Sequence, residues 1–394
     1  MNGCLLQLEG WRPGTTVREQ AAAPVEQLSL FREESQAYLT RQIITYLGNK
    51  RALLPFIGNA VAFASQRLGK RQLRLADLFA GSGVVSRYFK QFSSFLLSND
   101  LERYAEVIGQ CYLANRSEID LSQLLTAFDY LQSRIPESWA PGPITQAYAP
   151  KDEATITAQD RVFYTRYNAI YLDTARREID RLPKALQPFF LAPLLAEASI
   201  HNNTSGVFKG FYKNRQGVGC YGGEGRNALQ RILGNVQVQL PYLSNFECET
   251  LVTRADANEL VTLMPEVDLA YLDPPYNQHP YGSNYFMLNL LVSGRTPQQI
   301  SRVSGIPTDW NRSAYNNRVR AEQALFDVVA RCPAKIVLIS YNSDGFIPYN
   351  RFVGTLERLG SLRTFETEYN TFRGCRNLAN RALRVREFLF LLEK

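Results

Sequence analysis

The stretch Leu73-Arg74-Leu75-Ala76-Asp77-Leu78-Phe79-Ala80-Gly81-Ser82-Gly83 reads as a strand running into a glycine turn. Glycine is the residue that lets a chain turn sharply and bring its backbone close to a ligand. Residues 84–89 then open a helix. A second strand, Phe95-Leu96-Leu97-Ser98-Asn99-Asp100, ends in an acid, and residues 103–115 return to helical spacing. Strand, glycine turn, helix, strand and acid follow one another as in a βαβ unit. That order predicts an α/β fold built on a parallel, doubly wound sheet.

Working outward, residues 51–68 place Leu53, Leu54, Ile57, Val61, Ala64 and Leu68 on one helical face. Residues 120–250 break the rhythm. They hold candidate helices at 122–133, 168–181 and 184–199, a Pro141-Gly142-Pro143 break, and a glycine-rich loop over 206–225. We read residues 119–245 as an inserted domain, mainly helical, between two parts of the sheet domain at 36–118 and 246–394. Residues 1–35 are a polar N-terminal extension. The sheet resumes with strands at 246–252 and 267–272. An irregular stretch at 294–310 precedes a helix at 318–331 and a strand at 335–340. The segments 363–369 and 385–392 form a closing antiparallel pair.

The strand Val267-Asp268-Leu269-Ala270-Tyr271-Leu272 leads straight into Asp273-Pro274-Pro275-Tyr276. Two prolines in series fix φ and remove two backbone donors. The Asp273 carboxylate and the Pro274 carbonyl are then both placed to accept hydrogen bonds from a single planar –NH2 group. As such a nitrogen attacks a methyl sulfonium it gains positive charge, which those acceptors stabilise. Tyr276 offers a ring face to stack on a base or to meet a cation.

The glycine turn complements that reading. Its amides lie at a helix start, and Asp100, at the end of the next strand, suits ribose hydroxyls, so the pair predicts a nucleoside cofactor. A GxG alone also fits a plain structural turn. The run is not GxGxxG, because Ser86 stands at the later position, and no Gly-Lys-Ser/Thr follows to make a phosphate loop.

Composition narrows the classes. Of 394 residues 45% are hydrophobic and 21% charged, which marks a globular chain with room for a large core. No apolar run approaches the roughly 20 residues of a membrane span, and the first residues lack a signal-peptide pattern. Six cysteines without CxxC spacing fit reduced thiols in the cytoplasm, and with only His201 and His279 present no metal site is expected. The net charge of +7 favours a polyanionic partner. Lys209, Lys213, Arg215, Arg226 and Arg231 share the glycine-rich stretch, and Arg373, Arg376, Arg381, Arg384 and Arg386 crowd the C-terminus.

Taken together, the chain resembles the Dam-like alpha group of adenine-N6 DNA methyltransferases. Three motifs occur in that group's order. Tyr46-Leu47-Gly48-Asn49-Lys50-Arg51-Ala52-Leu53-Leu54 resembles its N-terminal methionine-pocket motif, Asp77 to Gly83 its FxGxG cofactor loop, and Asp273 to Tyr276 its DPPY catalytic motif. The resemblance runs from about residue 40 to the C-terminus. It implies a class I methyltransferase, Rossmann-like sheet with helices on both faces, and S-adenosylmethionine as donor. Asp273, Pro274, Pro275 and Tyr276 would be catalytic. Tyr46, Gly48, Lys50, Asp77, Phe79, Ala80, Gly81, Ser82, Gly83, Asp100, Asp256 and Ala257 would hold the cofactor, with Asp100 on the ribose and Asp256 on the adenine. Related protein-glutamine enzymes carry Asn at the first turn position, so Asp273 points to a nucleic acid.

The resemblance also makes the insertion a target-recognition domain for double-stranded DNA. Reaching an amino group inside a duplex requires extruding the nucleotide, at a cost of a few kcal/mol. Asn203, Thr204, Lys209, Lys213, Arg215 and Arg373 are the candidate DNA contacts, amides and hydroxyls for base edges and cations for phosphates. A glycine-rich surface hairpin explains the same 202–213 stretch. His279 and residues 281–285 suit a wall over an extruded base, or the start of a helix packed on the sheet. The expected role is the modification enzyme of a restriction–modification system with a separately encoded endonuclease. An RNA adenine or a DNA cytosine-N4 amino group is the alternative target.

Overall fold

The computed structural model describes residues 18–20, 34–302, 304–370 and 384–394. Among the described residues eight strands form one sheet: β1 (Arg18–Gln20), β2 (Leu73–Asp77), β3 (Ser93–Asp100), β4 (Glu249–Arg254), β5 (Val267–Leu272), β6 (Ala334–Asn342), β7 (Ser361–Asn370) and β8 (Arg384–Glu393). Their order is β1-β7-β8-β6-β5-β2-β3-β4. β4, β3, β2, β5 and β6 run parallel, whereas β8 is antiparallel to both β6 and β7. This is the α/β class expected, a mixed sheet consistent with a Rossmann-like methyltransferase.

Burial follows from the sequence. All six residues of β5 are buried, as expected of a central strand covered on both faces. The one charged residue in β5, Asp268, is tied by Lys70 at 2.7 Å and by the amide of Arg74 at 3.0 Å. Burial pushes its carboxyl up, but that amide and Lys70 outweigh it and hold it below its ordinary value. One sheet face packs on the helix Leu54–Leu68, whose Ile57, Val61 and Ala64 join Leu75, Leu269 and Leu338. The opposite face packs on Val328, Val329 and Phe352.

Strand order reverses beside β2, which has β5 on one side and β3 on the other. At such a switch point the connections leave in opposite directions and open a crevice at the carboxyl ends of the strands. Asp77 ends β2, Asp100 ends β3 and Asp273 follows β5, so all three acids come to one edge.

Between β3 and β4 the chain is helical and irregular, with helices Leu121–Glu137, Pro143–Tyr148, Arg166–Asp180, Gln187–Ile200 and Leu229–Leu233. The segment does not keep a core of its own. Gln187–Ile200, apolar on nearly every face, packs on Arg103–Tyr112 and Phe286–Ser293 of the sheet domain. Phe163, Phe190 and Phe208 therefore share one core with Tyr104, Ile108 and Phe286. Among the described residues no helix is long and apolar enough to cross a membrane.

Candidate active site

The glycine loop is held from β5 and β3. Leu78 N donates to Tyr271 O at 3.1 Å, and Ala80 N to Asn99 O at 2.9 Å. The Asn99 amide donates to Leu78 O and Ala255 O, both at 3.1 Å, and its Oδ1 accepts from Ala255 N. Asn99 is thus the pin that gathers the ends of β2, β3 and β4. Gly81 N donates to Asp100 Oδ2 at 2.8 Å. Gly81 has φ +54° and Gly83 +73°, and a Cβ on Gly81 would lie 2.7 Å from the Tyr46 ring. Glycine is required at 81 both by the backbone and by Tyr46.

Tyr46 stacks against both Tyr281 and Tyr285, with centroids 4.9 Å from each, and those two rings stack on one another at 6.0 Å. The Tyr281 hydroxyl donates to Leu47 O at 3.0 Å, and Leu47 N donates to the Tyr285 hydroxyl at 2.7 Å. The segment after the Asp273–Tyr276 turn therefore grips the 46–50 loop. Tyr285 leads into the helix Phe286–Ser293, which packs on the helices Arg103–Tyr112, Arg166–Asp180 and Gln187–Ile200 instead of on the sheet as the alternative had it.

Asp273 faces a cation. Lys50 Nζ lies 3.0 Å from Asp273 Oδ1 and 3.3 Å from Glu387 Oε1, and 5.8 Å from the centre of the Tyr276 ring. Ser340 Oγ donates to Glu387 Oε1 at 3.0 Å. Burial raises the Asp273 carboxyl to about 6, Lys50 opposes that rise and Glu387 adds to it. Burial disfavours the Lys50 ammonium, yet the two carboxylates hold its pKa well above the ordinary value.

Lys50 and Asp273 wall one cleft together with the glycine loop. Of the expected residues, Tyr46, Gly48, Lys50, Phe79, Ala80, Ser82, Asp100, Asp256, Ala257, Asp273 and Pro275 line it. Pro274 and Tyr276 complete the turn, and Tyr276 O accepts from Phe346 N at 3.2 Å. Asp77 is fully buried and takes Ser86 Oγ at 2.7 Å, so it supports the loop from within and does not face the cleft. Burial raises its carboxyl to about 7.

Sequence reasoning missed Asn99, Glu102, Asn311, Tyr315 and Glu387. Glu102 lines the cleft beside Asp100 and takes Asn289 and Asn311 amides; burial lifts it to about 7. Tyr315 stands edge-on to Phe79 at 5.0 Å, next to Asp256, whose Oδ1 caps the following helical turn through Asn258 N. Tyr315 lies outside any periodic segment, and Glu102 directly follows the expected ribose acid, a proximity that a search for further carboxylates would have found.

The donor set discriminates between ligands. Asp100, Glu102, Asp256 and Asp273 face the cleft against the single ammonium of Lys50, with aromatic rings between them. Such a lining repels phosphates and suits a cation joined to a planar ring and a diol.

The D12 class N6 adenine-specific DNA methyltransferase family matches residues 46–324, a span that holds the glycine loop, the insertion and the Asp273 turn. The chain belongs to that family. It is 27% identical over 358 residues to the Type II methyltransferase M.CviAII of Paramecium bursaria Chlorella virus 1, covering 89% of this chain and 98% of that protein. It is 26% identical over 363 residues to the Type II methyltransferase M.NlaIII of Neisseria lactamica, covering 89% and 99%. The modification methylase StsI of Streptococcus sanguinis is 28% identical over 317 residues, covering 77% of this chain and 44% of that longer protein.

In this D12 class methyltransferase the expected DNA contacts divide. Asn203 is fully buried; its amide donates to Val162 O and Cys220 O and its carbonyl accepts from Gly222 N. Thr204 is 1% exposed and spends its hydroxyl on Asn202 Oδ1 and Gly206 N. Both were expected to read bases; they brace the loop instead, because a buried amide must be satisfied inside the protein. Arg231 likewise holds the carbonyls of Ile200, Asn202 and Thr204. Lys209, Lys213 and Arg215 are exposed, with Lys213 over the Phe211 ring at 5.0 Å and Arg215 paired to Glu224 at 3.4 Å. Arg373 lies outside the described residues.

Proposed function

We propose that this D12 class methyltransferase uses S-adenosylmethionine to methylate adenine N6 at one sequence in duplex DNA. In this reading it is the modification enzyme of a restriction–modification system with a separately encoded endonuclease. The reading rests on one observation: Asp273 and the glycine loop wall the same cleft, and four carboxylates face into it. The relatives named above as Type II and modification methylases support the biological role.

S-adenosylmethionine supplies an electrophilic methyl carried on a sulfonium. Tyr46, Gly48 and the glycine loop would hold its amino-acid end. Asp100 and Glu102 would accept from the ribose hydroxyls, and Asp256 would take the adenine amine between Phe79 and Tyr315. The Asp273 carboxylate and the Pro274 carbonyl accept hydrogen bonds from the target amine and keep its lone pair directed at the methyl. Those acceptors would stabilise the positive charge that the target nitrogen gains on methylation. The surplus proton passes to Asp273, whose carboxyl titrates at about 6, and on to solvent. Lys209, Lys213 and Arg215 would anchor phosphates without reading sequence.

Expression in a host that lacks adenine methylation, followed by methylation-sensitive sequencing, tests this. One sequence context should carry 6-methyladenine throughout the genome, and Asp273→Ala should erase it. A genome methylated only at cytosine, or left unmethylated by soluble protein, would refute the reading.

A further inference from the structure

Nothing in the methyltransferase motifs accounts for Glu387. It sits in β8, 3% exposed, opposite Asn342 of β6 and Thr367 of β7. A carboxylate at the centre of a sheet is expensive unless paired. Its partners are the Ser340 hydroxyl at 3.0 Å and the Lys50 ammonium at 3.3 Å, the same ammonium that reaches Asp273.

We propose that Glu387 is a positioning residue for methyl transfer, acting through Lys50 to keep Asp273 an effective acceptor for the target amine. The proposal rests on Asp273 having the role given above. A lysine paired to Asp273 alone would neutralise it and weaken its pull on an amine that becomes cationic. Shared between two carboxylates, the same ammonium does not neutralise Asp273 alone. That arrangement is preorganised, since the strand fixes Glu387 and Ser340 fixes its Oε1. Lys50, its side chain 5% exposed, is held between the two carboxylates. Glu387 itself touches neither base nor donor.

The charged and titratable groups around Asp273 come from every packed element. They are Lys50 ahead of the helix Leu54–Leu68, Asp77 of β2, Tyr271 of β5, Tyr276 and Tyr281 after the turn, and Glu387 of β8. Glu387 pushes the Asp273 carboxyl up and Lys50 pulls it down. Replacing Glu387 by glutamine removes a negative neighbour, so the Asp273 carboxyl falls and the acid limb of the rate profile moves to lower pH.

The test uses the full chain, S-adenosylmethionine and unmethylated genomic DNA, with wild type, Glu387→Gln and Ser340→Ala compared from pH 5 to 9. Donor affinity and thermal melting serve as controls for folding. Glu387→Gln should lower kcat by roughly tenfold, below the roughly hundredfold or more that follows loss of a directly contacting group, with little change in KM. Its acid limb should move down in pH, and Ser340→Ala should move it the same way by less. A purely structural Glu387 would lower activity and melting together and leave the limb in place; that result, or a limb moved upward, overturns the proposal. Wild type without methyl transfer would instead remove the proposed function.

Discussion

Lys50 Nζ lies 3.0 Å from Asp273 Oδ1, joining the loop ahead of the first sheet-domain helix to the turn after β5. Neither residue is fully exposed, and Glu387 shares the cation. Lys50→Met would leave two carboxylates facing each other without a counter-charge. Breaking such a buried pair from one side costs about 3–5 kcal/mol. Denaturant titration should show a loss of that size. Because Lys50 holds the Asp273 carboxyl down, its removal raises that pKa, and the acid limb of methylation should move to higher pH. A limb that stays near pH 6 would contradict the pairing.

Asp77→Asn should stabilise the protein in a pH-dependent way. The Asp77 carboxyl rises from an ordinary 3.8 to about 7 through burial, partly offset by Ser86 and reinforced by Asp273. The folded chain therefore keeps a proton that the unfolded chain releases. The stability it confers is present at low pH and is lost as pH rises toward 7. Asparagine has no such proton. Thermal melts of mutant and wild type should nearly coincide near pH 4 and diverge by pH 8, the mutant more stable by on the order of 4 kcal/mol.

Gly81→Ala should abolish donor binding. The new Cβ meets the Tyr46 ring at 2.7 Å with φ at +54°, and Tyr46 cannot retreat because Tyr281 and Tyr285 stack on it. Backbone strain alone costs about 1–3 kcal/mol. Isothermal titration with S-adenosylmethionine should show no saturable binding at concentrations that saturate wild type.

The insertion's polar residues should separate into two behaviours. Asn203→Ala removes the partners of three buried backbone groups and should lower stability by about 1–3 kcal/mol without changing which sequence is methylated. Joint Lys209→Ala and Lys213→Ala should leave melting unchanged. It should weaken DNA binding for all sequences and flatten the salt dependence by about two phosphate contacts.

Much of this molecule can be read from its residues, and the reason is local. The 73–83 and 267–276 segments each combine strand spacing with turn chemistry, and parallel topology then brings Asp77, Asp100 and Asp273 to one edge. What lies outside local pattern escaped. Periodicity places Lys50 before a helix but does not say that its ammonium reaches β8. Glu387 stands directly before the apolar run Phe388-Leu389-Phe390-Leu391-Leu392, where an acid reads as the polar end of a strand. In the 202–206 loop, an amide that reads a base and an amide that braces a turn look identical until burial is known. The insertion seemed separate because its rhythm changes, yet Gln187–Ile200 is apolar on nearly every side and had to find cover on Arg103–Tyr112.

The most direct measurement is transfer of labelled methyl from S-adenosylmethionine to duplex DNA by the pure chain, with the product nucleosides separated after digestion. The account predicts label in 6-methyldeoxyadenosine alone, and its loss in an Asp273→Ala protein that still melts cooperatively. Label in methylcytosine, or undiminished transfer by Asp273→Ala, would contradict it.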